Sequence, residues 1–207
     1  MEGRDQVQLA AVVLAAGSSR RMGETNKLLE SVQSQSMIRT VVSTLCQTGV
    51  DKVVVVTGFQ SDLIRAELVG MDIEIIDNDL FKDGLSASLK VGLSSLSSNI
   101  DIAMIVLADM PFLKISELEH LMSVSRAGDE RTIVVPVASG RRGNPVLWPR
   151  YYWLEISALE GDQGAKSLIA KYSTDVLEVA VDNEGCFIDI DTPRVLAQYC
   201  DGPGVSE

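Results

Sequence analysis

Apolar residues along this chain fall into short runs rich in β-branched side chains, separated by stretches in which they recur every three or four positions. The runs at 9–14, 52–56, 73–76, 102–107 and 132–137 have the pattern of buried strands. The stretches at 37–47, 61–69, 85–96 and 116–125 carry the spacing of helices. Such alternation predicts an α/β fold: a single-domain, Rossmann-like, doubly wound and mainly parallel sheet with helices on both faces. Beyond residue 137 the pattern loosens. A Gly-rich turn at 139–143 precedes a short strand at 145–148, helices at 151–159 and 165–172, late strands at 174–181 and 186–190, and a last helix from Pro193.

The length of 207 residues suits one core, so residues 1–200 are expected to form a single domain, with 1–7 and 201–207 as flexible tails. Eighteen Lys and Arg against 29 Asp and Glu give a net charge of −11, which argues against a surface built to grip nucleic acid. An anionic ligand must therefore meet a local basic pocket. No apolar segment approaches the roughly 18 residues needed to cross a bilayer, and residues 1–8 lack the apolar stretch of a secretory signal, so a cytoplasmic location with no membrane partner is expected. Cys46, Cys186 and Cys200 form neither a disulfide framework nor a zinc motif. His120 is the sole histidine, expected on the solvent side of its helix, which excludes any mechanism needing two.

In open α/β sheets ligands gather at the carboxyl ends of the strands. Two loops meet that criterion. The first, after the opening strand, reads Leu14-Ala15-Ala16-Gly17-Ser18-Ser19-Arg20-Arg21-Met22-Gly23 and reaches Lys27. Its small residues let backbone N–H groups approach a phosphate, and Arg21 and Lys27 can neutralise a triphosphate. Its spacing fits neither the dinucleotide-binding nor the Walker-type glycine motif. The second loop follows the strand at 102–107 and carries Asp109 ahead of Pro111, placing a carboxylate where the chain turns away. Asp189 and Asp191 alternate about Ile190, so both can face one side of an extended segment, although Asp191 would also suit the cap of the helix from Pro193. One or two carboxylates with phosphate oxygens and water commonly hold Mg2+. Gly84, Leu85, Ser86 and Ser88 open a helix with Asp83 as its expected cap, a start able to hold a base, a ribose or a phosphate oxygen. Arg141 and Arg142 beside Asn144 form a second basic turn.

The segment from Leu14 to Leu29 resembles the L-A-[AG]-G-x-S-x-R-M-G…K loop of the MobA-like nucleotidyltransferases. The resemblance continues in order through Asp83-Gly84-Leu85-Ser86-Ala87-Ser88-Leu89, Ala108-Asp109-Met110-Pro111, Gly140-Arg141-Arg142-Gly143-Asn144-Pro145-Val146-Leu147, Gly161-Asp162-Gln163-Gly164-Ala165 and Asp189-Ile190-Asp191-Thr192-Pro193. Within that family the pattern is most similar to the molybdenum cofactor cytidylyltransferase (MocA-type) branch, because Ala16 stands where guanylyl members carry glycine. The resemblance implies a nucleotide-diphospho-sugar transferase-like fold whose later half adds an acceptor-binding flap. It also implies Arg21, Lys27 and Asp109 as catalytic residues, and a nucleotide site from Leu14, Ala15, Ala16, Gly17, Ser18, Arg21, Lys27, Gly84, Leu85, Ser86 and Ser88. Mg2+ would be held by Asp109 and Asp191, and the acceptor by Arg142, Asn144, Asp162 and Asp189.

The implied reaction moves CMP from CTP to the terminal phosphate of a molybdopterin-type cofactor and releases pyrophosphate. A molybdoenzyme or its chaperone is the expected recipient of the product. Three readings stand beside it: GTP as donor, a sugar or methylerythritol phosphate as acceptor, and a non-catalytic chaperone that carries the cofactor. The run from Gly140 to Leu147 together with Asp189 to Pro193 favours the pterin branch over the other phosphates.

Overall fold

The computed structural model describes residues 6–17, 26–32, 34–182, 184–190 and 195–196. Its first strand, β1 (Leu9–Ala15), is buried along its whole length. The side chains of Leu9, Ala11, Val13 and Ala15 enter the core on one face of the sheet, and those of Ala10, Val12 and Leu14 enter the core on the other. A strand apolar on both sides can only sit in the middle of a covered sheet. β1 accordingly lies between β4 (Lys52–Thr57) and β6 (Ile102–Leu107) and is parallel to both. A small antiparallel pair, β2 (Ser31–Val32) with β3 (Gln35–Ser36), stands apart from the main sheet.

The main sheet is completed by β5 (Glu74–Asp77), β7 (Ile133–Ala138), β8 (Arg141–Arg142), β9 (Val146–Pro149) and β10 (Val176–Ala180), in the order β10-β7-β9-β6-β1-β4-β5 with β8 paired to β7. β9 runs antiparallel to both β6 and β7, and β8 antiparallel to β7, so the sheet is parallel except where the chain doubles back after residue 138. Helices α1 (Met37–Cys46), α2 (Ser61–Glu67) and α4 (Ile115–Ala127) cover one face. The other face is covered by α3 (Leu85–Ser95), α5 (Trp153–Ser157) and α6 (Lys166–Lys171). Gly92 lets α3 lie close to the strands, since a Cβ there would come within 2.4 Å of a methyl of Val12.

Two expectations are corrected. The run at 186–190 is not a strand: a 3-10 turn, Glu184–Phe187, takes its place and the following residues pair with no strand. Asp83 does not cap α3. It ends a 3-10 turn, Phe81–Asp83, and Gly84 occupies the cap position without a side-chain bond. Of the helix expected from Pro193, only residues 195–196 are described, and they are helical. His120 is exposed on α4 as expected. Among the described residues no helix is long and apolar enough to cross a membrane.

Candidate active site

The parallel strands point their carboxyl ends toward one edge, and the candidate chemistry collects there. Asp109 follows β6 by two residues and Lys27 opens a 3-10 turn, Lys27–Leu29, that starts at Asn26. The Asn26 side chain accepts a bond from the Leu28 N–H at 3.1 Å and donates one to the Phe59 carbonyl at 3.2 Å, so this turn is pinned to the end of β4. From there the Lys27 ammonium reaches Asp109 Oδ2 at 2.6 Å. The two side chains are only 14% and 16% exposed, so screening by water and salt is weaker than at an open surface. Residues 82 positions apart in sequence thus form one partly buried ion pair at the mouth of the sheet.

The segment that follows the Glu184–Phe187 turn is tied to the loop that carries Asp109. Ile190, fully buried, donates its N–H to the Asp109 carbonyl at 3.0 Å. The Cys186 carbonyl accepts the Asn144 N–H at 2.9 Å, which links the same segment to the loop before β9. Cys186 itself is no candidate nucleophile: burial, with the Glu117 carboxylate adding to it, pushes its thiol up to about 12. Asp189 is exposed beside Ile190. Ser18, Arg21 and Asp191 lie outside the described residues. Among the described residues no group of three or more acidic, histidine or cysteine side chains gathers as a metal site. Asp109 alone nevertheless offers a hard oxygen donor of the kind Mg2+ takes with one further carboxylate and substrate phosphate.

A cavity of about 280 Å³ opens on the α3 side of the sheet. Leu14, Ile105 and Leu107 at the ends of β1 and β6, with Trp148 of β9, make its sheet wall. Leu85 and Leu89 of α3 and Ile169 of α6 make its helix wall. The polar side chains lining it are Asn144, Asp162 and Lys166. Asn144 and Asp162, expected on the acceptor side, are thus brought together with Leu14 and Leu85, expected on the nucleotide side. Lys166 was not anticipated. The signal available was its position directly after the Gly161-to-Ala165 motif, but only the packing of α6 shows that it meets the cavity.

Other anticipated residues are placed differently. The Arg142 guanidinium pairs with Glu178 of β10 at 2.7 Å and does not line the cavity. Ser88 is buried, and its hydroxyl accepts a bond from the Asn78 amide at 3.0 Å, which fastens α3 to the loop before it. The N–H of Ser86, expected to face a ligand, is taken by the Gly161 carbonyl at 3.1 Å. Gly84 permits that contact: its φ is +102°, and a Cβ would fall 2.4 Å from the Gly161 carbonyl carbon. Ala15 is fully buried within the sheet, and Gly17 is exposed with open space around it. Ala16 is 3% exposed and turns its methyl toward Gly58, where the Phe81 side chain also packs.

A covered, mainly parallel sheet of this order is the nucleotide-diphospho-sugar transferase fold. The chain belongs to the MobA-like NTP transferase domain family, whose model matches residues 11–176. In structure it is similar to Rv0371c from Mycobacterium tuberculosis H37Rv, with a TM-score of 0.84 and 26% identity over 95% of this chain and 100% of that one. In sequence it is 28% identical to a probable molybdenum cofactor guanylyltransferase of Natranaerobius thermophilus, over 64% of this chain and 62% of that protein. It is also 25% identical to the bifunctional protein GlmU of Francisella philomiragia over 66% of its own residues, and spans 30% of that relative's length.

Proposed function

We propose that the protein transfers CMP from CTP to the terminal phosphate of a molybdopterin-type cofactor. The observation that carries this reading is the Lys27–Asp109 ion pair, formed two residues beyond β6, the strand whose Ile105 and Leu107 line a mostly apolar cavity. A triphosphate needs the charges, and a flat heterocyclic acceptor needs the walls. The similarity to a molybdenum cofactor guanylyltransferase supports the acceptor class.

The acceptor's terminal phosphate oxygen attacks the α-phosphorus of CTP, the bond from that phosphorus to the β-phosphate oxygen breaks, and pyrophosphate leaves with the electron pair. A phosphate monoester is already ionised near neutral pH, so no protein base is required and catalysis is positioning and charge stabilisation. Lys27 and Arg21 balance the charge that grows on the pyrophosphate. Lys27 also holds the Asp109 carboxylate in place through the bond already present. Asp109 and Asp191 are the residues to hold Mg2+, which when bound polarises the phosphoryl oxygens. Asn144, Asp162 and Asp189 serve the acceptor.

The choice of CTP over GTP rests on Ala16, which stands where guanylyl members of the family carry glycine. Its methyl narrows the space beside the base, which a one-ring base tolerates better than a two-ring base. The test is to supply each NTP with Mg2+ and the purified pterin cofactor and to weigh the product by mass spectrometry. A cytidine dinucleotide product, with pyrophosphate released only when all three components are present, is expected. A guanosine product would replace the donor, and acceptor-independent release would remove the reading.

A further inference from the structure

We infer that Lys166 is a specificity-determining residue that holds an anionic group of the acceptor other than the phosphate that reacts; this rests on the proposed transfer reaction. The inference starts from charge. In a chain of net charge −11 an anion enters an apolar cavity only where a cation waits for it. Of the residues lining the cavity, Lys166 alone carries positive charge.

The neighbouring cations are otherwise occupied. Arg142 is paired with Glu178, Arg141 sits over the Phe187 ring, Arg150 donates to the Ile100 and Ser97 carbonyls, and Lys171 pairs with Glu155. The Lys166 ammonium makes no ion pair or hydrogen bond with any described residue. Lys166 is exposed at the rim of the cavity, so its ammonium is available to a ligand that enters there.

Position separates this group from the reaction centre. The reacting phosphate must lie toward the ends of β1 and β6, where Leu14 and Leu107 lead into the loops of Lys27 and Asp109. Lys166 lies on the helix wall, at the start of α6. The acceptor class so defined is an apolar ring system with a phosphate at one end and a second acidic substituent elsewhere. Asp162 accepts from ring N–H donors and Asn144 offers its amide between the two walls. A neutral sugar phosphate would leave Lys166 unused.

Two measurements on the full chain test the assignment. In the first, naphthalenesulfonate and naphthol, a ring with and without an anionic group, are titrated by calorimetry. Wild type should bind the sulfonate about tenfold more tightly or better, Lys166→Arg should retain the preference, and Lys166→Met should abolish it. A wild type without the preference, or a preference that survives in Lys166→Met, overturns the proposal. In the second, steady-state turnover with CTP and pterin cofactor should show the acceptor KM of Lys166→Met raised by about tenfold or more, with kcat and the CTP KM nearly unchanged. An unchanged acceptor KM in an active enzyme overturns the role of Lys166 and leaves the reaction standing. A wild type inactive with this acceptor overturns the reaction, and the probe preference then decides Lys166 by itself.

Discussion

The Lys27–Asp109 pair is a juncture at which one side chain serves two partners. In the described structure the ammonium donates to one oxygen of the carboxylate, and in the proposed transfer it also faces the triphosphate. Removing either member breaks a partly buried ion pair, which is costlier than losing an exposed one. Asp109→Ala should abolish pyrophosphate release, and Lys27→Ala should lower it by orders of magnitude. Circular dichroism of both variants should stay that of the wild type, because neither side chain belongs to the cores on the two faces of the sheet. Near wild-type release from Asp109→Ala would remove the metal assignment. Asp109 was legible in sequence because a lone carboxylate closes an apolar strand. Its bond to Lys27 was not, because two loops so far apart meet only after β1 and β6 pair.

At the scale of elements, the clearest local device is the latch between α2 and β5. Asp77 at the end of β5 accepts bonds from Thr57 of β4, from Ser61 at the start of α2 and from Arg65 one turn further on. These bonds, those from Ser61 and Thr57 foremost, hold its carboxyl down at about 2. A carboxyl depressed from an unfolded value near 3.9 contributes stability above that pH and loses it as pH falls through the folded value. The melting temperature of wild type should therefore exceed that of Asp77→Ala at neutral pH, and the gap should close between about pH 4 and pH 2. The side chain is 48% exposed, so the contribution is about 1 kcal/mol or less. A gap that persists at pH 2 would assign it to packing instead.

The same scale shows where sequence reading stops. The alternation of Leu9, Ala11 and Val13 with Ala10 and Val12 specifies a central strand because both sets must be buried. The run Phe187, Ile188 and Ile190 has equally strand-like residues. However, the Ile190 N–H bonds to a loop carbonyl and the Cys186 carbonyl to a loop amide, so no neighbour offers a ladder. The cap of α3 escaped for a similar reason: the Gly161 carbonyl, from a turn far along the chain, takes the Ser86 N–H that a local side chain would otherwise serve.

Over the whole molecule the site is assembled from both ends of the described chain. The sheet from β5 through β10 shares its cores with the helices and draws little on residues 184–190, which contribute Cys186 to one core and Ile190 to a small cluster with Val32 and Met37. A chain ending at Asp182 should therefore keep its far-UV circular dichroism and a cooperative thermal transition, somewhat lowered, while pyrophosphate release falls by two orders of magnitude or more. Loss of the folded signal would make the segment a structural necessity.

The hydrogen bond from Ile190 to Asp109 also sets an order in time. A ribosome adds Ile190 only after the ten described strands, so the loop of Asp109 gains this bond once the strands of the sheet are already in the chain. If the chain ending at Asp182 folds and is inactive, turnover reports that translation has passed residue 190, which antibodies against the sheet could not do.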